Sequence, residues 1–263
     1  MAKTILLIAV LTLAINCKII NAIALQCRFE MVRLDLQDIY TCSATVLIET
    51  QTNQDVVIRV FGVHLPGKGN GDVLGLTIFS QNLQFFPTNI EEFLPNIGVI
   101  NFYNNSIPTV SNTHLTPFPN LWHLGLAKNR ISVLDKNLFS GLNTLREVLL
   151  NENDIISIDS NLFAGLNAGT FIDLSNNSIR HVGHDLILPE NGVIWLLNNS
   201  CIDAYIRADD VEAVKDFKFD LLINCPPTIS LIESTLESRP NFIKNLIDRV
   251  AALERIIESS ADG

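Results

Sequence analysis

The sequence has little positive charge and few of the residues that build reaction centres. Its 18 Lys and Arg against 28 Asp and Glu leave a formal charge of −10 at neutral pH. This balance argues against nucleic acid and against acidic lipid headgroups, because both bind basic surfaces. Only 5 of the 263 residues are Cys and 5 are His. They form no close Cys-x-x-Cys or Cys/His grouping, so we expect no zinc site and no cofactor.

Long hydrophobic runs are absent after the first 24 residues. Residues 1–24 begin with Lys3, continue through an apolar run and end in Ala22-Ile23-Ala24. This pattern predicts a secretory signal peptide. A membrane anchor is the alternative, but the uninterrupted run is shorter than the roughly 18 residues that a span needs. The C-terminus also lacks the hydrophobic tail of a lipid-anchor signal. We therefore expect a secreted, extracellular protein without a membrane span.

A repeat with a fixed period dominates the rest of the chain. Residues 135–143 (DKNLFSGLN) recur 24 residues later at 159–167 (DSNLFAGLN), with seven of nine positions identical. The same frame carries a polar anchor at regular spacing, with apolar positions in register around it. The anchors are Gln81, Asn105, Asn129, Asn153, Asn177 and Asn199. A period in this range is typical of stacked-repeat architectures, in which each unit buries its apolar face against a neighbour.

Each unit follows the pattern Leu-x-x-Leu-x-Leu-x-x-Asn-x-Leu. The alternating Leu-x-Leu core predicts a short strand with its leucines inward. The anchor asparagine has donor and acceptor groups for the backbone of the bend that follows. Phe139 and Phe163 suit a turn on the convex side. This pattern resembles the 24-residue extracellular class of leucine-rich repeats over roughly residues 73–201. The predicted fold is an α/β solenoid: a leucine-rich repeat arc with a parallel sheet on its concave face, disulfide-bonded caps and a short C-terminal helix.

Two pairs of cysteines flank the repeats, and the fifth, Cys17, lies in the predicted signal peptide. A solenoid holds its ends apart, so the easy disulfides in an oxidising compartment are Cys27–Cys42 and Cys201–Cys225. Zinc ligation is the alternative. The predicted domains are a β-type N-terminal cap at 25–71, with strands at 40–48 and 56–63, six repeats at 72–200, and a cysteine cap at 201–225.

The chain changes character after Pro226-Pro227. From Pro240 onward an apolar stripe predicts an amphipathic helix within a linker-and-helix region at 226–263. The stripe could pack within the chain or mediate a homo- or hetero-oligomer. Its members are Ile243, Leu246, Val250, Leu253 and Ile257.

No catalytic site is expected. His123 and Glu147 occupy equivalent positions in adjacent repeats and should lie close together. A serine hydrolase would need a nucleophile beside them, whereas the preceding units have Gly75 and Val99 there. The Asn-x-Ser sequons at Asn104, Asn176 and Asn198 predict N-glycosylation.

The x positions beside the strand leucines should line the concave face, and several are large and apolar. Clusters of exposed aromatic residues tend to mark recognition sites. The alternative is that cap residues, the C-terminal helix or a glycan covers part of this face. The predicted ligand-binding residues are Phe79, Val99, Tyr103, Trp122, His123, Glu147, Leu149, Phe171, Asp173, Trp195 and Leu197.

The overall layout resembles the secreted leucine-rich immune proteins of mosquitoes and related flies. Those proteins dimerise through long coiled coils and bind complement-like proteins, so the resemblance implies a role in innate immunity with an extracellular protein or a microbial surface as ligand. Small secreted repeat proteins of matrix or receptor-decoy type are equally compatible with the sequence. The helix is shorter here, and no adjacent cysteine pair is available for an interchain bond. A structural protein that assembles through its C-terminal helix is the alternative function.

Overall fold

The computed structural model describes residues 22–34, 36–48, 56–183 and 185–238. Most of the predicted signal peptide and the whole predicted stripe from Ile243 to Ile257 lie outside the described residues. Within the described part, no helix is both long enough and apolar enough to cross a lipid bilayer.

One short strand from each of the six predicted units joins a ten-stranded sheet. Neighbouring repeat strands run parallel and pair with equivalent residues opposite one another, for example Leu124 opposite Val148. The repeat strands are β4 (Gly75–Thr77), β5 (Val99–Asn101), β6 (His123–Gly125), β7 (Glu147–Leu149), β9 (Phe171–Asp173) and β11 (Val193–Trp195).

The middle residue of each repeat strand points into the core, as strand alternation requires. Leu76, Leu124 and Ile172 are fully buried there. Phe139 and Phe163 are also buried. Each starts a tight turn, because the amide of Leu142 donates to the carbonyl of Phe139 and that of Leu166 to Phe163. The core is therefore one continuous apolar layer between the sheet and the convex turns.

The anchor residues form a hydrogen-bonded ladder between repeats, as predicted. The Oδ1 atom of Asn129 accepts from the amide of Ile107 at 3.0 Å. Its Nδ2 atom donates to the carbonyls of Phe102 and Leu126 at 2.9 and 3.0 Å. Gln81 extends the ladder to the N-terminal cap, because it bonds the carbonyl of Ala44 and the amide of Val46.

The convex side has little regular structure. A four-residue helix, α1 (Asn112–Leu115), follows the second bend. Two short parallel strands, β8 (Ser157–Ile158) and β10 (His181–Val182), form a separate two-stranded sheet in the later repeats.

The N-terminal cap is a long hairpin with a third strand beside it. Strand β1 (Ala22–Leu34) pairs antiparallel with β2 (Gln37–Ile48) and parallel with β3 (Val56–Phe61). The sequence predicted β2 and β3 but not β1. Thr41, Cys42 and Ser43 pair with β4, which joins the hairpin to the repeat sheet. The predicted Cys27–Cys42 disulfide links the two hairpin strands.

The predicted signal-peptide boundary falls inside β1. Ile23 and Ala24 are fully buried, and both pair with β3. Cleavage after Ala24 would therefore remove three residues that belong to the strand.

The C-terminal cap closes the other end of the sheet. Strand β12 (Tyr205–Arg207) returns antiparallel to β11. Helix α2 (Val211–Asn224) follows, and the side chain of Asp210 caps it by accepting from the amide of Ala213. The predicted Cys201–Cys225 disulfide holds the end of α2 against the last repeat.

The segment after Pro227 is helical earlier than predicted. Helix α3 (Ile229–Ser238) occupies residues that the sequence suggested were a spacer before Pro240. It lies against the repeats, with the Ser234 hydroxyl 2.6 Å from the Asp159 carboxylate and Glu237 paired with Lys136 at 3.2 Å. Leu231 on the same helix is buried. The two prolines therefore do not hold this part of the chain away from the repeats.

Candidate ligand-binding face

Two rows of outward residues run across the concave face, one on each side of the buried central row. The first follows the paired positions Gly75, Val99, His123, Glu147, Phe171 and Val193. The second follows Thr77, Asn101, Gly125, Leu149, Asp173 and Trp195. Because each strand contributes one residue to each row, neighbours in a row are 24 residues apart along the first five strands.

His123 and Glu147 meet in the first row, as predicted. The Nδ1 atom of His123 lies 2.7 Å from Oε2 of Glu147. An ionised carboxylate only accepts, so Nδ1 carries the proton. The His123 side chain is 3% exposed and that of Glu147 is 24% exposed. His123 thus fixes the direction in which Glu147 presents its remaining oxygen.

Three buried polar side-chain atoms have no hydrogen-bond partner in the described part of the chain. They are Nε2 of His123, Oδ1 of Asn101 and Oγ of Ser175. Asn101 covers Gly125 of the next strand, where a Cβ atom would lie within 2.8 Å of its amide group. The centre of the face is therefore closed by side chains and offers no opening to the core.

The aromatic residues of the face form two separate pairs. Phe171 and Trp195 meet edge to face, with ring centroids 5.1 Å apart. Phe79 and Tyr103 meet in the same geometry at 6.4 Å, beyond the ends of β4 and β5. Trp195 is 40% exposed and Phe79 is 49% exposed. Such pairs hold large apolar side chains at fixed positions in contact with solvent.

A charged pair stands beside the Phe79–Tyr103 pair. The ammonium of Lys128 lies 5.4 Å from the centre of the Tyr103 ring and 3.5 Å from the Glu152 carboxylate. Tyr103 first, and then Glu152, raises the pKa of Lys128. Lys128 therefore stays cationic at every physiological pH.

An open groove of about 720 Å³ lies beside the first row, at the edge where the chain enters the strands. Its lining comes from three consecutive repeats and from the first residue of β2. The lining residues are Gln37, Asn120, Trp122, Asn143, Thr144, Arg146, Glu147, Asn167 and Phe171.

The structure divides the predicted ligand-binding residues into accessible and buried ones. Trp122, Glu147 and Phe171 line the groove. Phe79, Tyr103 and Trp195 are exposed elsewhere on the face. Leu149, Asp173 and Leu197 are partly exposed. By contrast, Val99 is 5% exposed and His123 is 2% exposed, so neither presents a contact surface to a ligand.

Sequence reasoning missed the polar part of the groove. Arg146 occupies the same repeat position as Trp122, and Asn167 the same position as Asn143. The frame could have found them, because residues just before each strand share one edge of the sheet. No sequence pattern indicated Gln37. It lies outside the repeat frame, and only the path of the hairpin brings it to the groove.

The predicted sequon residues Asn104, Asn176 and Asn198 are all exposed. Each has a φ near 55° at the bend that follows its strand. The amide of Asn198 donates to Oδ1 of Asn176 at 3.1 Å. Each stands one residue before an anchor asparagine, at the bend that follows its strand.

A family comparison agrees with the geometry of the strands and bends. Residues 119–179 match a family model described as leucine rich repeat. The matched segment consists of leucine-rich repeats. The described repeats before and after it have the same strand and anchor geometry, so the whole arc is a leucine-rich repeat arc. No curated protein matches the chain. Leucine-rich repeats support a general role in protein interaction. No group of three metal-binding side chains occurs among the described residues.

Proposed function

We propose that this chain is a secreted, non-enzymatic recognition protein that binds another protein or a microbial ligand through its concave face. The observation that carries the proposal is the partly exposed Phe171–Trp195 pair on that face, with ring centroids 5.1 Å apart. Aromatic residues that are held rigid and partly exposed lose little conformational freedom on binding, and they dominate the binding energy of many interfaces.

The rest of the face supports the same proposal. The Phe79–Tyr103 pair supplies a second aromatic contact near the other end of the sheet. The charged side chains of Glu147, Asp173 and Lys128 lie between or beside the pairs. Partly exposed aromatic residues with charged neighbours are typical of protein-binding surfaces, in which the charges select the partner.

Affinity capture from extracellular fluid tests the proposal. The mature protein should capture a specific partner, and Trp195→Ala should weaken that binding by about tenfold or more, since an aromatic anchor of an interface contributes at least about 1.4 kcal/mol. Val133→Ala is the control, because Val133 is 63% exposed and lies outside the strands of the concave face. Equal binding by both variants, with unchanged circular dichroism, would place the binding surface elsewhere.

We extend the proposal to secretion and innate immunity. Two disulfides cap the arc, which is compatible with an oxidising extracellular compartment. The layout of caps, repeats and trailing helix resembles the leucine-rich immune proteins of mosquitoes. Binding to microbial cells by the wild type and not by Trp195→Ala would support this extension, whereas retention of the protein inside the producing cell would contradict it.

One observation favours the alternative of a structural protein that oligomerises. Helix α2 exposes Phe219, Leu222 and Ile223, each more than half accessible. Apolar groups in such a cluster favour association. The predicted stripe that would drive assembly, from Ile243 to Ile257, lies outside the described residues, so this alternative depends on the sedimentation experiment described in the Discussion.

A further inference from the structure

We infer that the groove beside the first row of the concave face is a binding site for a neutral oligosaccharide. This inference rests on the proposed recognition function, since the groove shares Trp122, Glu147 and Phe171 with that face. Its volume of about 720 Å³ lies within the range of roughly 300–1,000 Å³ that small-molecule sites occupy.

The groove holds several polar side chains without a partner in the described part of the chain. Among the described residues, the side chains of Gln37, Asn120, Asn143 and Arg146 have no hydrogen-bond or ion-pair partner. The three amides supply both donors and acceptors, and the guanidinium supplies a planar fork of donors. These groups are available for a ligand that presents many hydroxyl groups in fixed directions.

Glu147 adds an oriented acceptor. Its Oε2 atom is occupied by Nδ1 of His123 at 2.7 Å, which leaves Oε1 for a ligand. With Arg146 the groove therefore has one positive and one negative side chain and no net charge. A charged ligand would be repelled by either Arg146 or Glu147. A neutral polyol can form hydrogen bonds with both side chains.

Trp122 supplies a flat apolar surface at the same place. Its ring occupies the space above Gly98 of the preceding repeat, where a Cβ atom would lie 2.9 Å from the indole. His123 contacts it in an edge-on geometry, with ring centroids 5.9 Å apart. The indole is thus held in place, and a sugar ring can rest its C–H face on it while its hydroxyls reach the polar groups.

An extended or helical peptide fits this groove less well. Strand addition needs a free sheet edge, but β6, β7 and β9 are each paired on both sides. Helix docking needs an apolar trough, and most of this lining is polar. An oligosaccharide requires neither.

Tryptophan fluorescence gives a direct test, because the chain has only 2 Trp. In a Trp195→Phe background, Trp122 is the sole reporter. The full secreted chain is titrated with tetrasaccharides of β-1,4-linked N-acetylglucosamine, β-1,3-linked glucose and α-linked mannose. Saturation-transfer NMR on the sugars detects binding that leaves the emission unchanged. At least one tetrasaccharide should bind, and Arg146→Ala should weaken it by about tenfold.

Arg130→Ala is the matched control, since Arg130 is exposed and lies outside the groove. Its binding should equal that of the parent. No binding of any of the three sugars up to about 10 mM, weaker than any affinity that could serve recognition, overturns the oligosaccharide site. Equal weakening by Arg130→Ala and Arg146→Ala also overturns it.

A second experiment decides where the sugar comes from. Enzymatic removal of glycans from a captured partner abolishes capture if the sugar is carried by that partner. Capture that survives, together with binding of a free tetrasaccharide, points to a free or cell-wall polysaccharide. If Arg146→Ala loses the partner and no sugar binds, the groove holds protein and the sugar assignment fails. Trp195, outside the groove, tests the recognition function separately.

Discussion

Each anchor asparagine satisfies three main-chain groups that a sharp bend would otherwise bury without partners. One amide nitrogen in the preceding repeat donates to Oδ1, and two carbonyls, one in each repeat, accept from Nδ2. A buried backbone group without a partner is costly, so the side chain is required by the bend and not by the strand. This explains why the anchor keeps its identity while the leucines vary freely with Ile, Val and Phe.

Asn153→Ala should lower the free energy of unfolding by roughly 1–3 kcal/mol, because it removes bonds to Ile131, Leu126 and Leu150. Urea denaturation followed by circular dichroism measures the change. The control is Asn151→Ala: the preceding repeat already has Ala127 at the equivalent position. Equal midpoints for the two variants would contradict the importance of the ladder.

Glu30 should make the free energy of unfolding fall at acidic pH. Its pKa is lowered, first by the Ser43 hydroxyl at 2.7 Å and then by Arg28. A carboxylate with a depressed pKa in the folded state stabilises the protein above its unfolded pKa, about 4.3. That contribution is lost as the pH falls through the folded value. In NMR titrations, Ser43→Ala should move the Glu30 pKa upward, and an unmoved value would rule out the hydroxyl as the cause.

At the residue scale, the sequence predicted which side chains of the concave face lie next to each other better than it predicted how exposed those side chains are. It predicted correctly that His123 and Glu147 are close, because equivalent positions in adjacent repeats must pair. It did not reveal that His123 is buried or that Trp122 covers Gly98. Both depend on how neighbouring side chains share the limited space on a curved sheet.

The caps show how elements of different kinds protect the same core. At the N-terminal end a hairpin pairs directly with β4. At the C-terminal end β12 and α2 cover the last repeat, and Phe217 and Leu221 of α2 are buried against it. A repeat array needs such ends, because its terminal units would otherwise expose their apolar faces.

Removal of the C-terminal disulfide should destabilise the arc. The Cys201–Cys225 bond closes a sequence separation of 24 residues, which corresponds to roughly 3–4 kcal/mol in the chain-entropy model. The double variant Cys201→Ala, Cys225→Ala should therefore melt at a lower temperature than the parent, as calorimetry would measure. An unchanged melting curve would mean that α2 packs without help from the bond. Cys27→Ala, Cys42→Ala tests the other cap in the same way.

The sequence prediction was wrong for the segment between Pro227 and Pro240. The positions of the prolines alone suggest that this segment is a spacer. Ser234 and Glu237 nevertheless make contacts with the repeats. Their partners Asp159 and Lys136 are more than 70 residues away in the sequence, so no local pattern predicts the contact.

On the scale of the whole molecule, the arc is close to one-dimensional. Each repeat strand pairs only with its two neighbours, so stability spreads along the chain through successive interfaces. The proposed ligand-binding surface is spread in the same way, since the groove takes residues from three repeats. An insertion that shifts the 24-residue frame would therefore disrupt the surface as well as the core.

Self-association is best tested on the whole protein. The predicted stripe from Ile243 to Ile257 is short for a coiled coil, so any dimer should dissociate in the micromolar range or require a partner. Analytical ultracentrifugation of the parent and of Val250→Glu, Leu253→Glu measures this. A parent that is monomeric at every concentration, with a variant of lower stability, would show that the stripe packs within one chain.

The sequence by itself determined the repeat period, the strand and bend of each unit, the inward leucines, the anchor ladder and the disulfide pairs. All of these follow from spacing along the chain, because stacked identical units leave one register in which both core and anchors fit. Only the tertiary structure decided the course of β1, the docking of α3 and the assembly of Gln37, Trp122 and Arg146 around one groove. Those features depend on the twist and curvature of the sheet, which arise from all repeats packed together and are not encoded in any single one.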